Sequence, residues 1–96
     1  MNQSKYIRVL LAERDDLEEV DIIEGPAEVL NSLKQYRQDF YDYAEKNYYG
    51  AWEDYDITEG FVEYLNSIIL KDSYHKVKLI ASQTKEYDST CKRYIL

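Results

Sequence analysis

Only one cysteine, Cys91, occurs in the 96 residues, so no disulfide can form within the chain and a reducing, cytoplasmic setting is expected. Long apolar runs are missing too. None approaches the roughly 20 residues needed to span a bilayer, and a soluble protein with no membrane partner is expected. The patch from Ile7 to Ala12, with Lys5 and Arg8 around it, is shorter than a signal-peptide core of about 7 to 15 residues and has no clear small-residue cleavage site. Three glycines, none at a phosphate-cradling spacing, leave no case for a P-loop or a dinucleotide fingerprint. The lone histidine, His75, has no serine or cysteine arranged beside it as a nucleophile, and reads as a boundary residue next to a strand. Cys91, between Thr90 and Lys92, reads as a partly buried, inert thiol. With no repeat, linker or low-complexity tract, residues 1–96 are expected to form one domain.

Bases are scarce relative to acids. Twelve lysines and arginines face nineteen aspartates and glutamates, for a formal net charge of −7. The excess is local: residues 13–28 hold eight acids and one base, and residues 36–64 hold eight acids and two bases. Such a field repels nucleic acid and anionic membranes and speeds encounter with basic proteins. Direct nucleic-acid binding is therefore not expected. The basic C-terminal third, with Lys71, Lys76, Lys78, Lys85, Lys92 and Arg93 among Tyr74, Tyr87 and Tyr94, reads as compensation of the acid blocks or as a positive pole for self-association.

Alternation predicts strands at both ends of the chain. Ile7, Val9 and Leu11 fall on one side of a strand from Lys5 to Ala12, and Val20 and Ile22 alternate with Glu19 and Asp21, with ERDD at 13–16 closing a hairpin. A single helix over 4–23 is the competing assignment. Gly25-Pro26 predicts the start of a helix running to about Asn47, with Leu30, Leu33, Arg37, Phe40 and Ala44 as its inner stripe. Gly50 ends it, and residues 51–56 read as a connection. Asp56 and Glu59 then form an acidic capping box for a second helix to near Lys71, with Ile57, Phe61, Leu65, Ile68 and Ile69 inward and Glu63 and Asn66 outward. HKVKLIAS at 75–82 alternates as a strand, and CKRYIL at the end supplies another. The expected fold is α+β, a small single domain in which a short antiparallel sheet packs on two helices. Helical spacing of Tyr74, Val77, Ile80, Thr84, Tyr87, Cys91 and Tyr94 leaves a four-helix bundle as the alternative.

Tyrosine is abundant, and seven of the eleven lie between Tyr36 and Tyr64 with the only tryptophan. Tyr and Trp offer large contact area for few frozen torsions and often dominate interfaces. Tyr36, Tyr43 and Tyr64 lie near the helical stripes and read as core-rim residues. Tyr48, Tyr49, Trp52 and Tyr55 crowd the connection beside Glu53, Asp54 and Asp56. Asp39, Asp42 and Glu45 recur every three residues on the outer side of the first helix, where like charges cost a few tenths of a kcal/mol per pair. Solubility alone does not require that clustering. Residues 54–60 begin like a calcium loop, but Gly60 is seventh where the motif needs glycine sixth, and Leu65 stands where it needs a glutamate. No metal site and no cofactor are expected. Paired carboxylates held in a pocket with separated pKa values are not indicated either, so an enzyme is not expected.

YYG at 48–50, an acidic stretch containing Trp52, and GFVEY at 60–64 together resemble the inhibitory region of barstar-type acidic ribonuclease inhibitors, whose aspartates after a YYG turn block a basic active site. The resemblance covers residues 48–64 and implies an analogy of mechanism, not kinship. In composition the chain is also similar in type to anti-CRISPR and anti-restriction proteins of phages and mobile elements. The expected function is a non-catalytic inhibitor that mimics nucleic acid and occupies the basic groove of a nuclease or other nucleic-acid enzyme. Its expected contact residues are Asp39, Asp42, Glu45, Tyr48, Tyr49, Trp52, Glu53, Asp54, Tyr55, Asp56 and Glu59. An immunity or antitoxin protein plugging a toxin nuclease is one alternative. A regulatory module that forms a homodimer through its tyrosines is the other.

Overall fold

Period-two alternation at the two ends of the chain builds a sheet, and three-and-four spacing between them builds helices that cover one of its faces. A computed structural model describes residues 5–12, 19–47 and 57–96. In chain order these form β1 (Tyr6–Ala12), β2 (Val20–Pro26), α1 (Ala27–Leu30), α2 (Leu33–Asn47), α3 (Ile57–Tyr64), a π-helical turn (Leu65–Ile69), β3 (Lys78–Thr84) and β4 (Arg93–Ile95). The fold is α+β. The helical-bundle alternative is excluded because residues 78–84 and 93–95 are strands. The 13–16 turn, Gly50 and the Asp56 cap lie outside the described residues.

The sheet order is β3-β2-β1-β4. β1 and β2 pair antiparallel, from Tyr6 opposite Pro26 to Leu11 opposite Asp21, and β2 pairs antiparallel with β3. An antiparallel sheet was the expectation, but β4 lies parallel to β1, with Leu10 opposite Arg93. The cause is the connection at 85–92, which crosses the sheet face away from the helices and delivers the chain to the far edge. It lays Tyr87 and Cys91 against Leu10, Ala12 and Val20. Within this strap the Thr90 hydroxyl and amide both donate to the Asp88 carboxylate, at 2.7 and 2.9 Å, and hold its pKa below the ordinary 3.8. Because of the strap, β1 is buried on both faces at its C-terminal end. Val9 and Leu11 meet the helices, and Leu10 and Ala12 meet the strap.

Gly25-Pro26 opens a helix as expected, with α1 starting at Ala27, and it also forms the last two residues of β2. Proline is tolerated at the final strand position because no further ladder bond is needed there, and the next amide, Ala27 N–H, donates to the Lys5 carbonyl at 2.7 Å. Gly25 serves close approach: a Cβ at this position would lie 2.8 Å from Val77 Cγ2. The expected long helix is split at Asn31-Ser32, where the Ser32 amide donates to the Val29 carbonyl in a tighter, three-residue pattern. Leu30, Leu33, Phe40 and Ala44 are buried as the stripe requires. Arg37 is the exception, being exposed with its Nε donating to the Ile95 carbonyl at 3.2 Å.

Phe61 and Leu65 fill the core beside Phe40, but Ile68, expected inward, is 47% exposed. The π-helical turn explains the difference. The Leu70 amide donates to the Leu65 carbonyl, and the extra residue in that turn rotates later side chains out of the 3.6-residue phase. Asn66, expected outward, turns toward Val77 and makes two bonds with its backbone, donating to the carbonyl at 2.9 Å and accepting from the amide at 2.8 Å. Lys76 Nζ donates to the Asn66 and Leu70 carbonyls and so caps the end of the helix. Among the described residues no helix is long and apolar enough to cross a membrane.

Candidate functional site

Helix α2 carries three of the seven acids of the expected site. Phe40 and Ala44 are buried on its inner side, which leaves Asp39, Asp42 and Glu45 exposed. Residues three apart share a helix face with Cβ atoms about 5–6 Å apart, so these carboxylates form a row. None makes an ion pair with a described residue, and Asp42 accepts one hydrogen bond, from Gln38 Nε2 at 3.2 Å. The row does not serve the helix. α2 has no acid in its first turn, where the macrodipole favours one, and has Lys34 there instead.

Ring packing holds the row in place. Phe40 meets Phe61 edge-to-face at 5.0 Å and Tyr64 at 5.7 Å, and Tyr43 meets Tyr64 at 5.2 Å. Tyr36 and Tyr43 are half-buried, as expected of the core rim, whereas Tyr64 is buried within the core, where Phe40, Phe61 and Tyr43 enclose its ring. Burial pushes the Tyr64 hydroxyl above its ordinary pKa of 10.0, and the charges of Asp39 and Tyr36 add to the effect. The folded chain therefore keeps a proton above pH 10 that the unfolded chain loses. Stability from this group is fully present below about pH 10 and is lost as pH rises through the higher, folded value. Urea midpoints measured from pH 8 to 11 should fall less steeply above pH 10 in Tyr64→Phe than in the parent. Identical slopes would contradict the burial of this hydroxyl.

Glu59 is exposed in the first turn of α3, where its charge suits the helix N-terminus. Tyr48, Tyr49, Trp52, Glu53, Asp54, Tyr55 and Asp56 lie outside the described residues. The structure thus brings Asp39, Asp42 and Glu45 together on one helix face and sets Glu59 on the next helix.

One buried polar group escapes the sequence pattern. Asp21 lies on the helix-facing side of β2, opposite Leu11, and is 7% exposed. Its Oδ1 accepts from the Gln83 amide at 2.8 Å and its Oδ2 from the Thr58 hydroxyl. Gln83 has φ 49, a left-handed conformation uncommon outside glycine, which aims that amide at the carboxylate. Asp21 thereby joins β2, α3 and β3. It is a latch of the fold.

Among the described residues no group of three His, Cys, Asp or Glu side chains is placed to hold a metal ion. His75 is exposed, and its Nδ1 lies 3.1 Å from the Tyr6 hydroxyl. Cys91 is a half-buried free thiol of the strap, packed against Leu10, Ala12 and Val20. No protein-family model, curated protein or solved structure matches the chain.

Proposed function

We propose that the protein is a small, acidic, non-catalytic binding protein that inhibits a nucleic-acid-processing enzyme by occupying its basic groove. The observation that carries this reading is the row of exposed carboxylates, Asp39, Asp42 and Glu45, on one face of α2. Duplex DNA presents roughly one charge per 1.7 Å of axis, and helix-borne carboxylates about 5–6 Å apart imitate part of that field. A groove that binds phosphates attracts such a row for the same electrostatic reason. Because Phe40, Phe61 and Tyr64 clamp α2 to α3, little ordering of the helix is required on docking. The partner is a basic protein, a nuclease or another nucleic-acid enzyme. Inhibitors of CRISPR or restriction enzymes carried by phages have this chemistry. An immunity protein plugging a toxin nuclease would use the same acids in a narrower contact.

The test compares the parent chain with the triple variant Asp39→Asn, Asp42→Asn, Glu45→Gln as bait in source or host cells. The parent should capture a basic nucleic-acid enzyme, release it on going from low to high salt, and yield it to added duplex DNA. The variant should bind that enzyme at least about tenfold more weakly, since each lost charge contact at an interface is worth on the order of 1.5 kcal/mol or more. Its circular dichroism should be unchanged, and its helix slightly more stable by a few tenths of a kcal/mol per relieved pair. Equal capture by the variant would remove α2 from the interface.

A further inference from the structure

A cleft of about 560 Å³ opens between the N-terminal half of α2 and β4. Leu11 and Phe61 lie at its base, and Leu33 and Tyr94 line it. Lys34, Arg37 and Arg93 also line it, and no side-chain carboxylate does. In a chain with nineteen acids and a net charge of −7, this local reversal of sign is a departure from the composition.

The bases gain nothing from the helix that carries them. Lys34 and Arg37 stand three apart, so they repel, and Lys34 in the first turn opposes the helix dipole. Arg37 is nevertheless held in a defined pose. Its Nε donates to the Ile95 carbonyl at 3.2 Å, and its guanidinium carbon lies 5.2 Å from the centre of the Tyr41 ring. Using Nε in this way leaves the two terminal amino groups of the fork for another acceptor, and a guanidinium fixed by its own contacts loses less freedom when it binds one. An apolar lining beside convergent cationic donors, in a volume within the range of about 300–1,000 Å³ typical of small-molecule sites, defines the ligand by its two ends.

We propose that this cleft binds a small organic anion: a carboxylate carried on an alkyl or aryl body. The apolar body rests on Leu11, Leu33, Phe61 and Tyr94, and the carboxylate lies at the rim with Arg37 and Lys34. The site is separate from the acid row, and its test does not depend on the inhibitor reading. Either can fail while the other holds.

The experiment uses the full chain, labelled with ¹⁵N, and three probes: octanoate, octanol and acetate. Octanoate should shift the amides of residues 33–38 and 93–96 in a saturable way, because it has both ends the cleft recognises. Octanol, which lacks the charge, and acetate, which lacks the body, should each bind at least about tenfold more weakly, the scale expected of a charge-assisted hydrogen bond or of several buried methylenes. Arg37→Gln and, separately, Lys34→Gln should weaken octanoate several-fold and leave octanol unchanged, a contrast that a merely structural role would not produce. Both residues are exposed, so the variants should keep the parent spectrum elsewhere. Octanol binding as tightly as octanoate, shifts scattered outside the cleft, or octanoate binding that survives both substitutions would overturn the proposal. So would an acidic peptide that shifts the β4 amides where octanoate does not, since the cleft would then be a protein-docking edge.

Discussion

Phe40→Ala should cost about 3–5 kcal/mol of folding stability, the range for deleting a fully buried aromatic side chain. Phe40 is completely enclosed and its ring touches those of Tyr41, Phe61 and Tyr64 at centroid distances of 5.4, 5.0 and 5.7 Å. Tilted and edge-to-face pairs add about 0.5–1.5 kcal/mol each beyond area burial, and the alanine would leave a cavity bounded by rigid rings that collapse poorly. Domains of this size hold roughly 5–15 kcal/mol in total, so the variant should be close to its unfolding threshold. Urea titration followed by circular dichroism measures the loss. Phe40→Leu, which keeps most of the volume, should lose far less. A loss in Phe40→Ala below about 1.5 kcal/mol, the range of volume-conserving swaps, would show that α2 and α3 do not pack around this ring. The acid row would then lose its rigid support.

Asp21→Ala should be the next most damaging change. It removes the acceptor of two donors, the Thr58 hydroxyl and the Gln83 amide, in a site almost closed to water. A buried donor stripped of its partner costs about 1–3 kcal/mol, so a combined loss of about 2–4 kcal/mol is expected. Asp21→Asn separates hydrogen bonding from charge: its carbonyl still accepts from Gln83, and its amide can donate to a reoriented Thr58 hydroxyl. It should recover more than half of the loss. A double-mutant cycle of Asp21→Ala with Thr58→Val isolates the β2–α3 part of the latch. Additive effects would mean that the two side chains act independently and that Asp21 stabilises the fold through Gln83 alone.

Strands at 6–12, 20–22 and 78–82 were readable because alternation of apolar and polar side chains survives in the sequence without knowledge of the partner strand; the extension of β2 to Pro26 was not, since Gly25-Pro26 read only as the start of a helix. The same holds for the acid row. Once Phe40 and Ala44 mark the inner side of a helix, the outward place of Asp39, Asp42 and Glu45 follows from 3.6 residues per turn. Tyr36 and Tyr43 were legible as rim residues on that basis too, but Tyr64 lies in the core. Other features left no local trace. The alternation of Asp21 with Val20 and Ile22 marks a polar face, yet packing on both sides of the sheet buries it, and its two donors are 37 and 62 residues distant. Arg37 sits in an apolar stripe by spacing, but it reaches the edge of β4, which arrives 58 residues later.

Local chemistry thus sufficed for what depends on neighbours a few positions away: where strands and helices form, which side of α2 faces solvent, and how charge is distributed along the chain. Parallel pairing of β4, the strap that buries the second face of β1, the π-turn that turns Ile68 out and Asn66 in, and the cationic cleft all arise from contacts between distant segments. No periodicity encodes such contacts, because the free energy that selects them belongs to the packed whole and is shared among residues that meet only after folding.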